Sequence, residues 1–266
     1  MPRSLRLLLT ALAFSVFFVG TLLLGAVLFP LLFLLALGNG KRHRARCTRF
    51  VSRGYGTFLF CLKAWGLIGY GSRLALPDAL KDQPFVLVAN HPSLIDVLFL
   101  LHWFPGTTCV VKSAWRNNFF FGPLLRSVDY LPNHHPKDDA FTGALERMKT
   151  HVRKGHPLIV FPEGTRSHDT KLHRFRRGAF EVAAECGVPV LVMFIGVDPP
   201  TLAKGESFSH RRRGEFTFEV LDVLRGNDSR ALKAQAEETI GARFDVFLRA
   251  VGRLEPSRPE VAATAS

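Results

Sequence analysis

The chain is predicted to fold as an α/β protein, a mixed, largely parallel sheet flanked by helices, with an N-terminal membrane-embedded helical segment. Three observations lead there. Short apolar runs alternate with helix-like patterns through the middle of the chain, the arrangement that builds a sheet with helical crossovers. Two of those runs end in polar clusters: PFVLVA is followed by NHPSLID, and PLIVF by PEGTRS. From Leu7 to Gly40, 34 residues pass without a charged side chain.

A helix needs only about 20 residues to cross a hydrocarbon core, so the uncharged run overshoots one simple span. Gly20, Gly25 and Pro30 offer places to bend. Arg3 and Arg6 precede the run, and Lys41, Arg42, Arg44, Arg46, Arg49 and Arg53 follow it. Positive flanks prefer the cytoplasm, so a re-entrant helical hairpin with both ends inside fits as well as a tilted span. A cleaved signal peptide fits poorly, because the run is too long and no small-x-small site ends it. Residues 55–70 read as an interfacial or buried helix. A formal charge of +13 suits an anionic membrane surface or nucleic acid. The position of the apolar run favours the membrane, and no nucleic-acid-binding motif is present. Residues 1–76 are therefore assigned to membrane anchoring, 77–252 to the α/β domain and 253–266 to a flexible tail.

Strands are expected at Phe85–Ala89, Thr107–Lys112, Leu158–Phe161, Val190–Ile195 and Phe216–Val223, and helices at Ser93–Phe104, Asp138–Lys154, Arg177–Cys186 and Ser229–Val251. Gly155-His156-Pro157 and Gly187-Val188-Pro189 punctuate the entries to two strands. Cys47, Cys61, Cys109 and Cys186 show no C-x-x-C spacing and read as small buried hydrophobes in a reducing compartment.

In open α/β sheets ligands bind beyond the carboxyl ends of strands, where both polar clusters fall. Within NHPSLID, His91 and Asp96 form a candidate acid–base pair. Histidine, with an unperturbed pKa of about 6.5, suits proton abstraction from a hydroxyl near neutral pH. A carboxylate on the other ring nitrogen fixes the tautomer and stabilises the imidazolium. The same residues also read as a capping box, S-x-x-D, in which Asp96 satisfies backbone N–H groups at a helix start. In the second cluster Glu163 either orders the turn or binds a substrate hydroxyl. Gly164 allows close backbone approach, Thr165 offers a hydroxyl, and Arg166 offers a planar fork for phosphate oxygens. A strand-end turn with a surface Arg–Glu pair is the plainer alternative. Lys112 is a second candidate for phosphate. The histidines lack a persuasive ligand set, so no metal is expected.

Taken together, NHPSLID, FPEGTRS, FRRGAF and GVPVLVMFIGV resemble the glycerolipid acyltransferase family, in its bacterial 1-acylglycerol-3-phosphate acyltransferase (lysophosphatidate acyltransferase) branch, over roughly residues 80–200. The resemblance implies a membrane-bound O-acyltransferase with His91 as general base and Asp96 as its partner. Glu163, Gly164, Thr165 and Arg166 would match the acceptor-binding motif, with Lys112 a further substrate-binding residue. The acyl donor would be acyl-CoA or an acyl-carrier-protein thioester, with no other cofactor. Its partners would be membrane lipids and a lysophospholipid acceptor, at the cytoplasmic face of the bacterial inner membrane. One departure stands out. Relatives often carry a G-x-x-F-x-x-R-like segment between the two motifs. Here the stretch reads SVDYLPN, with Asn133 in place of the arginine and His134, His135 and Lys137 close by. That leaves open a different lysolipid, or another hydroxyl- or amine-bearing acceptor. A hydrolase that activates water and a non-enzymatic membrane lipid-binding protein are the remaining alternatives.

Overall fold

The computed structural model describes residues 2–35, 40–116, 118–128, 130–133, 140–168, 170–204 and 212–254. Helix α1 (Arg3–Leu23) continues through a π-helical turn (Leu24–Leu28) into α2 (Phe29–Leu35). Pro30 lacks the N–H that an unbroken α-helix would use there, and the π turn just before it absorbs the defect. Helix α3 (Gly40–Ala64) runs back alongside. Phe33 meets His43 at 5.3 Å and Phe17 meets Phe58 at 4.6 Å between ring centroids, while Arg6 Nη2 donates to the Leu67 carbonyl at 2.6 Å. The first helix and α3 therefore pack as an antiparallel pair, whose second arm is the basic segment from Gly40 onward rather than the far half of the uncharged run. Gly25 lies within the π turn. A Cβ there would lie 2.5 Å from the Leu124 backbone nitrogen, so the glycine lets a neighbouring helix approach closely.

The chain then gives β1 (Ile68–Tyr70), β2 (Val86–Ala89), α4 (Asp96–Trp103), β3 (Thr108–Lys112), α5 (Ser113–Arg116), α6 (Gly122–Ser127), β4 (Leu131–Asn133), α7 (Ala140–Arg153), β5 (Leu158–Val160), α8 (Gly178–Cys186), β6 (Val190–Asp198), β7 (Gly214–Leu224) and α9 (Ser229–Ala250). Among the described residues the strands form one seven-stranded sheet in the order β1-β7-β6-β2-β5-β3-β4. All neighbours are parallel except β6 and β7. The mixed, largely parallel sheet is thus as expected from sequence.

Alternate residues of the central strands separate cleanly onto two faces. Leu87, Ala89, Ile159, Leu191, Met193 and Ile195 join one core beneath α3 and α4. Val86, Val88, Leu158, Val190 and Val192 join another beneath α8 and α9. Burial on both faces explains why these strands read as unbroken apolar runs. Two edge strands escaped the sequence reading. β1 falls within 1–76, so the sheet already takes a strand from that segment, and β4 ends on Asn133 in the SVDYLPN stretch.

Helix boundaries differ in two places. The helix expected from Ser93 begins at Asp96, after a turn over 93–95. The one expected from 138 is described from Ala140, since 134–139, including His134, His135 and Lys137, lie outside the described residues. The segment read as an interfacial or buried helix over 55–70 is the last part of α3, followed by β1. Most of the expected tail, 255–266, also lies outside the described residues.

Candidate active site

β2 stops at Ala89, and the next side chain extends its ladder in place of backbone. Asn90, fully buried, donates from Nδ2 to the Ile195 carbonyl at 2.7 Å and accepts the Ile195 N–H on Oδ1 at 2.8 Å. The amide thus pairs with β6 as a peptide would, and the main chain at His91 is free to turn away. Asn90→Ala would strand a buried N–H and a buried carbonyl. The expected result is a stability loss of about 2–4 kcal/mol, read as a lower unfolding midpoint in detergent.

His91 and Asp96 come together. Nδ1 of His91 lies 3.0 Å from Oδ2 of Asp96, and the same oxygen accepts the Ser93 N–H at 2.7 Å. The carboxylate is completely buried, whereas the imidazole keeps 18% of its surface exposed. The capping reading is half fulfilled: Asp96 takes the Ser93 N–H, but the Ser93 hydroxyl, also buried, caps nothing. With Nδ1 committed to the carboxylate, Nε2 is the nitrogen available to a substrate hydroxyl. The ring is stacked on Phe161 at 4.0 Å and 15°, which fixes its plane. Burial pushes the Asp96 pKa upward, opposed first by the hydrogen bond and charge interaction with His91 and then by the Ser93 N–H.

The PEGTRS turn is the other wall. Glu163 is 3% exposed. Its Oε1 accepts the His91 N–H at 3.1 Å and the Ser167 hydroxyl, and its Oε2 accepts the His173 N–H at 2.8 Å. Ser167 also faces the His91 N–H at 3.1 Å and donates its own N–H to the His91 carbonyl at 2.8 Å. Of the two roles open to Glu163, this geometry matches ordering of the turn. Gly164 has φ +70°, a left-handed conformation that favours glycine, and the Arg176 guanidinium lies over it. Arg166 does not face open solvent as a bare fork. Its Nη1 donates to the carbonyls of Leu202 at 2.7 Å and Ala203 at 3.0 Å. Thr165 is half-buried in the same turn.

Lys112 lies at the carboxyl end of β3, exposed, next to Asn133 at the end of β4, whose side chain accepts the Ser113 N–H at 2.9 Å. His91, Glu163, Lys112 and Asn133 therefore sit at the same edge of four adjacent strands, β2, β5, β3 and β4. The sequence reading missed Asn90, Phe161 and Ser167 as parts of the site. A polar residue closing an otherwise apolar strand was the available signal for Asn90. A hollow of about 810 Å³ lined by Leu76, Phe85, Trp103 and Thr107 opens at the other, amino ends of β2 and β3 and does not reach this site.

Residues 73–196 match the Acyltransferase family model. The chain is 31% identical over 150 residues to a 1-acyl-sn-glycerol-3-phosphate acyltransferase of Chlamydomonas reinhardtii, covering 55% of this chain and 44% of that one. It is 28% identical over 154 residues to 1-acyl-sn-glycerol-3-phosphate acyltransferase alpha of Homo sapiens, covering 56% of this chain and 52% of that one. These matches span about half the length of the relatives. The crystal structure of the 1-acyl-sn-glycerophosphate (LPA) acyltransferase PlsC from Thermotoga maritima has the same fold. Its TM-score is 0.68 at 24% identity, over 96% of this chain and 100% of that one.

Proposed function

We propose that the chain is a membrane-surface O-acyltransferase that moves a fatty acyl group from acyl-CoA or acyl-carrier-protein to the free hydroxyl of lysophosphatidate. Nε2 of His91 takes the hydroxyl proton as the oxygen attacks the thioester carbonyl. The C–O bond forms, the C–S bond breaks, and the imidazolium returns the proton to the departing sulfur. Buried Asp96 holds the tautomer and offsets the imidazolium charge. The 3.0 Å contact between a partly exposed imidazole and a wholly buried carboxylate at a strand end carries this reading. The family match and the named activities of the relatives support it. The apolar helix Ser4–Leu35, with only 17% of its most apolar stretch buried within the protein, and the basic residues beside it support action at the cytoplasmic face of a membrane, the bacterial inner membrane by the earlier resemblance.

A second acceptor class is favoured by two specific observations. By the resemblance noted above, Asn133 falls where an arginine is expected, and one nitrogen of the Arg166 guanidinium, Nη1, already donates to two carbonyls. Another lysolipid, or a different hydroxyl- or amine-bearing lipid, would place less demand on those positions. The test is purified protein in vesicles with labelled acyl-CoA or acyl-carrier-protein and a panel of lysolipids, followed by mass spectrometry. Diacyl product from lysophosphatidate is expected. Product from a different acceptor alone would support the second reading, and free fatty acid without any diacyl product would sink both in favour of a hydrolase.

A further inference from the structure

We infer that the turn between β3 and β4 is a second membrane-inserting element, an aromatic finger that docks into the same lipid surface as α1. Trp115, Phe119 and Phe120 are 41%, 72% and 39% exposed, three large aromatic side chains on one short stretch. They are not on a slack loop. Asn118 accepts the N–H groups of Phe120 and Phe121 on its side-chain oxygen at 2.9 and 3.2 Å, and its carbonyl accepts the Gly122 N–H at 2.8 Å. A fixed turn therefore holds the rings outward.

What covers them follows from what they adjoin. Phe18 of α1 lies 6.0 Å from Phe120 and 5.2 Å from Phe121, and Phe121 lies 5.0 Å from Trp115. Along the same helix Leu8, Val16, Val19, Leu23 and Val27 are 52–63% exposed. A groove of about 420 Å³ lined by Leu23, Val27, Phe119 and Pro123 joins helix and finger. The close backbone contact at Gly25 fastens the two together. An exposed apolar surface of this continuity marks a contact with an apolar medium, and aromatic rings at its margin suit the bilayer interface. Exposed Lys112, three residues before Trp115, would then lie at the depth of lipid phosphates.

The inference rests on the membrane reading above, and the test separates the two. Trp115 becomes the sole tryptophan in the Trp65→Phe/Trp103→Phe variant. A second reporter, Phe119→Trp in the otherwise native chain, changes only a surface position and does not depend on the core substitutions. A third, Val16→Trp with all three native tryptophans replaced by phenylalanine, reports on α1 alone. Each is mixed with phosphatidylcholine/phosphatidylglycerol vesicles carrying bromine on the acyl chains. Quenching and a blue shift at Trp115, together with extra quenched emission from Phe119→Trp, are expected. Quenching at position 16 without quenching at 115 or 119 overturns the finger and leaves the membrane reading intact. No quenching at any of the three removes the membrane reading and the finger with it.

Discussion

His91→Ala is expected to lower acyl transfer by about 10²–10⁴-fold, the range for removing a positioned general base. Asp96→Asn should cost a comparable factor by a different route. The amide would present N–H to Nδ1, favour the wrong tautomer and leave no charge to offset the imidazolium. The two variants part company in stability. Burial is the largest influence on Asp96 and raises its pKa, so the folded chain holds this proton more tightly than the unfolded chain. The associated stability is present in full below the ordinary carboxylate value and is lost as pH climbs through the raised one. Near neutral pH the charged form is the costly one. Asp96→Asn is therefore expected to unfold at or above the wild-type midpoint while losing activity, and to lose this part of the pH dependence of stability. Initial rates with vesicle-borne lysophosphatidate, paired with thermal melts across pH, check both. Wild-type turnover in either variant would refute the general-base assignment.

Glu163→Ala should have the largest effect on folding. Its two oxygens hold three donors, the N–H groups of His91 and His173 and the Ser167 hydroxyl, in a site with almost no solvent. Alanine takes this acceptor from the His173 N–H and the Ser167 hydroxyl and leaves the His91 N–H with Ser167 alone, at about 1–3 kcal/mol for each donor stranded. A loss of roughly 2–6 kcal/mol is expected by denaturant titration. Glu163→Gln keeps one acceptor but turns an N–H toward one of the donors, so an intermediate loss is expected. These results would set Glu163 apart from a residue that grips substrate. A raised KM with an unchanged unfolding midpoint would show instead that its carboxylate binds the acceptor.

The central strands were readable because both faces of the sheet are covered, which leaves little polar residue in Val86–Ala89 or Val190–Asp198. β1 and β4 were not, since three-residue edge strands carry too little pattern to register. The spacing of His91 and Asp96 could be read as a pair because both sit on one local turn. Asn90 could not be assigned its partner, since Ile195 lies 105 residues away in the chain. Arg166 shows the complementary limit. Residue type suggested an anion; the Leu202 and Ala203 carbonyls that accept from its Nη1 come from a distant connection with no visible signature.

The order of the strands has a consequence for how such a catalyst changes over evolutionary time. His91 and Asp96 follow the interior strand β2 and are braced by Glu163 after its neighbour β5, while Lys112 and Asn133 ride on the outlying pair β3 and β4. On the proposed function, mutations that recut the outer pair are expected to alter which headgroup is accepted without disturbing the chemistry. Selectivity can drift, on this scaffold, while the reaction stays put.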